Sequence, residues 1–215
     1  MIAADPVRSS WINAISRLNG DVGKAMSSAD ELLARYGGPH RHYHALAHIK
    51  TVLTEATLLA EELDLDVADR EVLLLAVCAH DVVYDGRPGD DERASAVWAR
   101  TQLADAGVPW EVVARVGDLI LATISHQADV DDRVADVLLD ADLSILGASP
   151  EAYDAYTVAV RQEYSQVPDR LWQADRAEVL SRLLDREHLY RTPGARGRWE
   201  AAARANLQSE LARLG

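Results

Sequence analysis

The sequence predicts an all-α fold, and three observations favour that class. Hydrophobic residues recur at the three-to-four-residue spacing of amphipathic helices, whereas alternating apolar and polar runs are scarce. Nearly half of the 215 residues are hydrophobic, which is enough for a sizeable core. Glycine and proline occur in short clusters, and no linker is long enough to divide the chain. We therefore expect one globular multi-helix domain over residues 1–215.

The boundaries of the predicted helices follow from these clusters. "YGGP" (36–39) ends the second helix, and "AGVP" (106–109) separates the fifth from the sixth. "GASP" (147–150) ends the seventh helix with glycine and begins the eighth with proline. "DGRPGDD" (85–91) and "RTPGARG" (191–197) are predicted loops before the fifth and the last helix. The ten predicted helices span 8–19, 22–36, 43–63, 69–83, 91–106, 110–126, 131–146, 150–166, 170–188 and 198–213.

The charge and the composition exclude several classes of partner. A net charge of −13 argues against binding to duplex nucleic acid or to an anionic membrane surface. The longest apolar run, "VLLLAVCA" (72–79), is too short to cross a bilayer, and the N-terminus lacks the apolar block of a signal peptide. The single cysteine, Cys78, cannot form an internal disulfide, and we expect a thiol in the core. The sequence predicts a soluble cytoplasmic protein.

The predicted helix over 69–83 ends in polar residues although it is otherwise apolar. Its middle, "LLLAVCA" (73–79), is apolar on every side, as in a helix enclosed by other helices. Its last turn carries His80 and Asp81. A bare buried carboxylate is strongly destabilising, so Asp81 is expected to be paired, hydrogen-bonded or bound to a metal.

The predicted helix over 131–146 offers two aspartates in "LLDADLSIL" that differ in position. Asp142 lies at the edge of an apolar stripe, four residues after Leu138 and three before Ile145. Asp140 falls on the opposite side of the helix, where a solvated charge is the natural interpretation. Asp142 is therefore the better candidate for a site.

Histidines are crowded into "HRHYHALAH" (40–48), which holds four of the seven in the chain. In a helix that begins near residue 43, His44 and His48 are one turn apart and share a face, whereas the other two point elsewhere. Such a pair is weak evidence for a metal when taken alone. His126 ends another predicted helix in "ILATISH", where the helix C-terminus by itself favours a histidine cation.

Taken together, these positions form a plausible metal ligand set. His48, His80, Asp81 and Asp142 combine two imidazole nitrogens with two carboxylates from three separate helices. Nitrogen and oxygen donors of this kind suit one divalent transition metal such as Mn, Fe, Co, Ni or Zn. A helical bundle is the architecture that can bring such distant positions together.

These residues resemble the HD-domain superfamily of metal-dependent phosphohydrolases, in particular a bacterial branch of predicted HD phosphohydrolases. The resemblance covers nearly the whole chain, in "RHYHALAHI", "AHDVVYD", "DDERASA", "LATISH", "DADLSILG", "YTVAVRQEYSQV" and "AARANLQSEL". It implies an HD-domain bundle with additional C-terminal helices. It also implies that His48, His80, Asp81 and Asp142 are the metal ligands.

A second, remote resemblance bears on the catalytic residues. "YHALAH" and "ADLS" are similar to segments of cyclic nucleotide phosphodiesterases, which implies that His44 is the general acid and that Asp142 rather than Asp140 is a ligand. The implied enzyme is a phosphomonoesterase or phosphodiesterase that cleaves a small phosphorylated metabolite, with a nucleotide as the expected class, by metal-activated water. Asp81 would orient that water and His126 would neutralise charge on the phosphoryl group.

Three further residues are candidates for substrate binding. Arg161, in "VRQEY", is a candidate phosphate clamp, although a surface ion pair with Glu163 or a neighbour is the commoner role of such an arginine. Glu92 and Tyr84 are expected to flank the opening of the site. In "DDERASA", Asp91 replaces the asparagine that the family pattern has beside Glu92, so the resemblance assigns no detailed role to that loop.

Two other functions stay open at the level of sequence. An HD-fold di-iron oxygenase would need additional ligands, and His44, His126 and Glu92 could supply them. A nucleotide-binding regulatory module with a structural metal would need a closed coordination shell, whereas four mixed ligands leave room on a six-coordinate ion. We expect one metal, with a second as an option near His126. The substrate and the oligomeric state are not fixed by the sequence.

Overall fold

Helices account for all the regular structure of residues 5–214, which are the residues that the computed structural model describes; no strand occurs among them. The all-α fold class is confirmed, and the helices form one compact bundle. The α-helices are α1 (Pro6–Arg17), α2 (Val22–Tyr36), α3 (Leu46–Glu62), α4 (Val67–Ala79), α5 (Asp90–Asp105), α6 (Trp110–Ala122), α7 (Arg133–Asp142), α8 (Pro150–Glu163), α9 (Asp169–Leu184) and α10 (Pro193–Leu214). A 3-10 helix (Leu143–Gly147) continues α7.

Side-chain caps set the start of half of these helices. Asp5, Asp21, Asp66, Asp132 and Ser149 each accept a hydrogen bond from a backbone N–H in the first turn of the helix that follows. These N–H groups have no partner within the helix, so a capping oxygen stabilises the helix by about 1 kcal/mol. The capping residues therefore explain why α1, α2, α4, α7 and α8 begin where they do.

Helix α4 lies at the centre of the bundle. It packs against α1, α3, α6 and α7, and Leu75, Ala76 and Val77 are completely buried. The prediction of an enclosed helix is therefore confirmed. Cys78 is also fully buried, and burial raises the pKa of its thiol to about 12. It is a core residue, as expected.

The helix expected over 43–63 begins later than predicted, at Leu46. Ala45 has an extended backbone (φ −109°, ψ −179°), which places His44 in the turn before α3. The predicted helical spacing of His44 and His48 is therefore wrong. Their rings nevertheless lie close together, with centroids 5.7 Å apart, because the turn folds back over the start of α3.

Two other helices end earlier than predicted, and this moves site residues into turns. Helix α4 ends at Ala79, so His80 and Asp81 follow it. Helix α6 ends at Ala122, and His126 has a positive φ of 50°, which a helix cannot accommodate. The predicted stabilisation of a His126 cation by a helix C-terminus is therefore wrong.

The last helix begins earlier than predicted. Residues 191–197 were expected to form a loop, but α10 starts at Pro193. Proline is favoured in a first turn, and the Thr192 hydroxyl accepts a hydrogen bond from the Ala195 backbone N–H (3.2 Å). The segment is a helix start, not a loop.

The C-terminal helices differ from the core in burial. Helix α10 packs against the 3-10 helix and α9, and the Asn206 side-chain amide donates to the carbonyls of Leu146 (2.9 Å) and Ala148 (3.0 Å). Among the residues of α9, all of which the structure describes, Leu180 alone is buried.

Across residues 5–214, no helix combines the length and the apolar character needed to cross a membrane.

Candidate metal centre

Three packed helices bring the predicted ligands to one point. His48 lies in the first turn of α3, His80 and Asp81 follow the end of α4, and Asp142 is the last residue of α7. The three helices pack pairwise against one another. Because each residue lies at an end of its helix, the four side chains meet where those ends converge.

The donor atoms of this cluster lie close together. The His48 Nε2 and His80 Nε2 atoms lie 3.2 and 3.4 Å from Asp142 Oδ1. Asp81 Oδ2 lies 3.2 Å from His80 Nε2 and 3.6 Å from His48 Nε2. His48, His80 and Asp142 can offer atoms that all lie within 4.8 Å of one another, and Asp81 borders this triad through the two histidines.

The two histidine nitrogens are buried without a hydrogen-bond partner. His48 Nε2 and His80 Nε2 are both enclosed, and the neighbouring carboxylate oxygens are close but not in hydrogen-bond alignment. Leaving two such atoms unsatisfied in a core is destabilising, and native structures do so rarely. A cation that accepts both lone pairs would satisfy them.

Further contacts prepare His80 to bind a cation. Its Nδ1 donates a hydrogen bond to the Val77 backbone carbonyl (2.9 Å), so Nε2 is the nitrogen that carries the lone pair when the ring is neutral, as it is when bound to a metal. Donors bound to one ion at 2.0–2.2 Å lie about 3.0–3.5 Å apart, which is close to the 3.2–3.6 Å between the histidine nitrogens and the carboxylate oxygens. The residues therefore fit a divalent metal ion by donor type, by spacing and by their unsatisfied atoms.

The electrostatics of the cluster favour ionised carboxylates. Burial acts to raise the pKa of Asp142, but the charge of His80 and the hydrogen bond from His126 hold it well below its usual range. Burial likewise acts to raise the pKa of Asp81, and His80 again holds it below its usual range. Burial acts to lower the pKa of His80, but Asp81 and Asp142 raise it well above its usual value. The site thus stabilises positive charge beside two carboxylates.

His126 joins this cluster from the loop after α6. Its Nε2 lies 3.1 Å from Asp142 Oδ2, on the carboxylate oxygen that does not face His48 and His80. The side chain is a quarter exposed and lines the adjacent cavity. His126 therefore lies between the ligand cluster and the space where a substrate can enter.

Glu163, a residue that sequence reasoning did not assign to the site, holds His44. Its side chain is fully buried, and its Oε2 accepts a hydrogen bond from His44 Nδ1 (2.7 Å). The other oxygen accepts from the backbone N–H groups of His42, Tyr43 and His44 at 2.7–2.9 Å. The Tyr84 hydroxyl donates to Oε2 (3.1 Å). One carboxylate at the end of α8 thus fixes both the turn and the ring of His44.

The same contacts shift the pKa values of this pair. Burial acts to raise the pKa of Glu163, but the hydrogen bond and charge of His44 and the backbone N–H groups lower it to about 2. Burial acts to lower the pKa of His44, but the hydrogen bond to Glu163 and the charge of Asp81 raise it. The pair therefore favours the ionised form of Glu163 and extends the protonated form of His44 to higher pH than in a free imidazole.

Arg41 joins the two turns that carry site residues. Its guanidinium donates to the carbonyls of His44 (2.7 Å), Asp81 (2.8 Å) and Val82 (3.0 Å). It also lies over the Tyr36 ring, 5.0 Å from the centroid. The side chain is almost completely buried, so it acts as an internal brace rather than as a contact for a ligand.

A cavity of about 480 Å³ opens beside the cluster. Its volume is within the range of small-molecule sites. Helices α8 and α9 contribute much of its lining. The lining residues are His44, Asp81, Tyr84, Pro88, Asp91, Glu92, Thr123, His126, Asp142, Tyr156, Val160, Tyr164, Val167, Trp172, Asp175, Arg176 and Val179.

The predicted substrate residues fall in different places. Tyr84 and Glu92 line the cavity as expected, and the Tyr84 ring stacks on His44 at 4.3 Å between centroids. Arg161 is outside the cavity lining. Its guanidinium donates to the backbone carbonyls of Tyr164 and Val167, in the turn after α8, and pairs with Asp169. The phosphate-clamp role predicted for Arg161 does not agree with this position.

The solvated position predicted for Asp140 is also wrong. Its side chain is buried, and its two oxygens accept from the backbone N–H groups of Arg191 (2.8 Å) and Thr192 (2.7 Å). The segment before α10 covers this side of α7, which the helical spacing alone does not reveal. Asp140 is a structural anchor, and Asp142 is the aspartate of the cluster, as predicted.

Comparisons with known proteins do not place the chain in a family. No protein-family model, curated protein or solved structure matches it. What the molecule itself provides is a helical bundle in which a His/His/Asp cluster could hold a metal ion. Function is therefore inferred from the geometry of this site and from the residue pattern.

Proposed function

We propose that the protein is a metal-dependent phosphohydrolase of the HD-domain type that cleaves a phosphoester of a small phosphorylated molecule, with a nucleotide as the expected class. The observation that carries this proposal is the pair of buried, unpartnered nitrogens, His48 Nε2 and His80 Nε2, which converge on the Asp142 carboxylate beside a cavity. The residue pattern that resembles the HD superfamily supports it independently.

The proposed ligands are His48, His80, Asp81 and Asp142. A bound divalent cation supplies Lewis acidity to a phosphoryl oxygen and makes hydroxide available near neutral pH. Four protein donors of mixed type leave coordination positions open on a six-coordinate ion, which a catalytic site needs and a purely structural site does not. Asp81 also lines the cavity, which supports the proposal that its carboxylate orients an attacking water.

His44 is the proposed general acid. Its Nδ1 is committed to Glu163, so Nε2 is the nitrogen that can pass a proton to the departing oxygen of the substrate. The raised pKa of His44 favours the protonated ring that this role needs. Glu163 acts through His44 and is a positioning residue.

His126 and Tyr84 have proposed roles in binding. His126 lines the cavity next to Asp142, where its ring can donate to a phosphoryl oxygen and offset its charge. Tyr84 stacks on His44 and borders the cavity, as does Glu92. Arg161 is left out of the proposed site because of its position at the end of α8.

Metal analysis with a phosphate-release assay tests the proposal. The purified protein is expected to bind about one equivalent of a transition metal and to release phosphate from members of a nucleotide panel when Mn, Co or Ni is added. A protein that binds no transition metal, or that holds one and hydrolyses no phosphoester, contradicts the proposal. High iron content with oxygen uptake would indicate an oxygenase instead.

The variant His44→Ala separates the acid from the ligands. We expect it to keep its metal and to lose about 10²–10⁴-fold in rate, the usual contribution of general acid catalysis. His42→Ala is the matched control, because His42 is exposed and contributes only its backbone N–H to Glu163. If His44→Ala releases the metal, the acid assignment is wrong.

A further inference from the structure

The cavity beside the metal centre contains few groups that could bind a second anionic group. Three carboxylates line it outside the ligand cluster: Asp91, Glu92 and Asp175. Asp91 accepts from the backbone N–H groups of Asp85 (3.0 Å) and Arg87 (2.7 Å), and Glu92 accepts from that of Gly89 (2.6 Å). Asp175 is exposed on α9. Beyond the ligand cluster, His44 and His126, a ligand in the cavity therefore meets carboxylates, of which Asp91 is buried and Asp175 is exposed.

The one arginine among the described lining residues is already neutralised, and no lysine lines the cavity in the described part of the chain. Arg176 forms two hydrogen bonds with Glu210, at 2.8 and 3.0 Å, and a third with the Tyr156 hydroxyl (3.2 Å). Both members of this ion pair are about nine-tenths buried. A buried bidentate pair does not release its arginine to a ligand without leaving Glu210 unpaired.

The wall contributed by α8 and α9 is aromatic and aliphatic. Tyr156, Val160, Tyr164 and Val167 lie at helical spacing along α8 and the turn after it. On α9, Trp172 and Val179 share the face that lines the cavity. The rings of Tyr164 and Trp172 lie 5.0 Å apart at 32°. Such a wall binds a flat apolar group by stacking and by removing it from water.

We propose, on the basis of the phosphohydrolase function above, that this cavity selects substrates with a single phosphoryl group whose leaving group carries a planar ring and no further anionic charge. His126 and a cation held by the ligand cluster would offset one phosphoryl group, and the wall of α8 and α9 would accept the ring. Among the described lining residues, a second or third phosphoryl group would meet carboxylates and no unpaired arginine or lysine. Phosphomonoesters such as nucleoside monophosphates fit this site better than the corresponding di- and triphosphates.

Binding of phosphonates, which have a carbon–phosphorus bond that cannot be hydrolysed in this way, tests the selection without turnover. Calorimetric titration of the metal-loaded protein would compare benzylphosphonate with methylphosphonate, and 4-carboxybenzylphosphonate with 4-(aminomethyl)benzylphosphonate. We expect benzylphosphonate to bind at least about tenfold more tightly than methylphosphonate. We expect the carboxybenzyl compound to bind about tenfold more weakly than the aminomethyl compound. Equal affinities, tighter binding of the carboxylate, or no binding of benzylphosphonate would overturn the proposal.

Matched variants assign the selection to particular residues. Asp175→Asn is expected to reduce the difference in affinity between 4-carboxybenzylphosphonate and 4-(aminomethyl)benzylphosphonate. Glu178→Gln makes the same charge change outside the cavity lining and is expected to leave this difference unchanged. Trp172→Ala is expected to remove most of the affinity by which benzylphosphonate exceeds methylphosphonate. Trp110→Ala, which changes an exposed tryptophan, is expected to retain this difference. A Trp172 variant that keeps the full preference for the ring would contradict the proposed wall.

Turnover measures the two proposals separately. Phosphate release from nucleoside mono-, di- and triphosphates of one base is expected to show a kcat/KM that falls by about tenfold with each added phosphoryl group. Release from the triphosphate at an equal or higher kcat/KM overturns the selectivity and leaves the phosphohydrolase function standing. No release from any phosphoester, together with the expected ranking of phosphonates, overturns the function and leaves the binding preference standing.

Discussion

The ligand cluster and the wall of the cavity are built in opposite ways. The cluster lies at the ends of α3, α4 and α7, where His48 and His80 are almost completely buried among packed helices. The wall comes from α8 and α9, and in α9 only Leu180 is buried among residues that are otherwise exposed or half-buried. Donor geometry is thus fixed by the core, whereas much of the surface that would contact a ligand belongs to two helices with few buried residues.

Glu163 connects these two regions. It lies at the end of α8, yet its carboxylate is buried against the turn that carries His44. A movement of α8 would therefore disturb His44 directly, whereas it would reach the ligand His48 only through the packed rings of Tyr156 and Tyr43. The difference in packing predicts that substitutions in the core and in the α8–α9 pair have separable effects.

Loss of a ligand is the largest expected effect. His80→Ala is expected to reduce the bound metal from about one equivalent to near zero, because the ion loses one of its two imidazole ligands. Phosphate release should fall to background with it. His188→Ala is the control, because His188 is exposed and outside the cluster. Elemental analysis after gel filtration checks this, and a His80→Ala protein with full metal content contradicts the ligand set.

Replacing a buried leucine of α4 and an exposed leucine of α9 by alanine compares the stability contributions of the two regions directly. Leu75→Ala in α4 is expected to lower the free energy of unfolding by about 2–5 kcal/mol, because a fully buried side chain leaves a cavity. Leu171→Ala in α9 is expected to change it by no more than about 0.5 kcal/mol, since Leu171 is 58% exposed. Urea unfolding measures both values. Equal destabilisation would remove the distinction between the core and α9.

Removal of the Glu163 charge probes the connection between the regions. Glu163→Gln is expected to keep the metal and to lower the rate by about 10–100-fold, the usual effect of losing an orienting partner. Glu178→Gln is the control on α9. Retention of the full rate would show that His44 does not depend on this carboxylate.

The stability of the Glu163→Gln variant is expected to depend on pH less steeply than that of the wild-type protein. The pKa of Glu163 is held at about 2, below its ordinary value of 4.5, so its contribution is present above 4.5 and is lost as the pH falls from 4.5 towards 2. Glu163→Gln should lose less stability than the wild-type protein over that range. Thermal unfolding at pH 5 and pH 3 makes the comparison, and equal pH dependence in the two proteins would contradict it.

Thiol labelling gives the smallest expected effect. Cys78 is buried in α4 with a pKa raised to about 12, so the reactive thiolate is scarce at pH 8. We expect no labelling by a thiol reagent in the folded protein and one label per chain after unfolding. Rapid labelling of the folded protein would show that the core around α4 opens more readily than its packing indicates.

The sequence predicted the parts of the site that depend on local pattern. His80 and Asp81 were found because charge at the end of an enclosed helix is unusual, and Asp142 because it borders an apolar stripe. Periodicity and turn residues also predicted that each of the ten helices exists, although apolar residues are spread round α9 and α10 rather than confined to one face. Helix ends were less predictable, since the turns that carry His44 and His126 depend on contacts with distant segments.

Residues whose position depends on tertiary contacts were missed. Glu163 is 119 residues from His44 in the chain, and nothing near it indicates a partner. One signal was available: Glu163 falls on the same helical stripe as Tyr156 and Val160, the kind of position that singled out Asp142. Asp140 was misplaced because the segment that covers it is about 50 residues away.

The central claim is that His48, His80 and Asp142 bind one divalent cation, and anomalous X-ray scattering from crystals loaded with Mn or Co tests it most directly. The predicted result is a single strong peak about 2.0–2.2 Å from His48 Nε2, His80 Nε2 and an Asp142 oxygen. Peaks only at other residues, or no peak under conditions that saturate a transition-metal site, would contradict it.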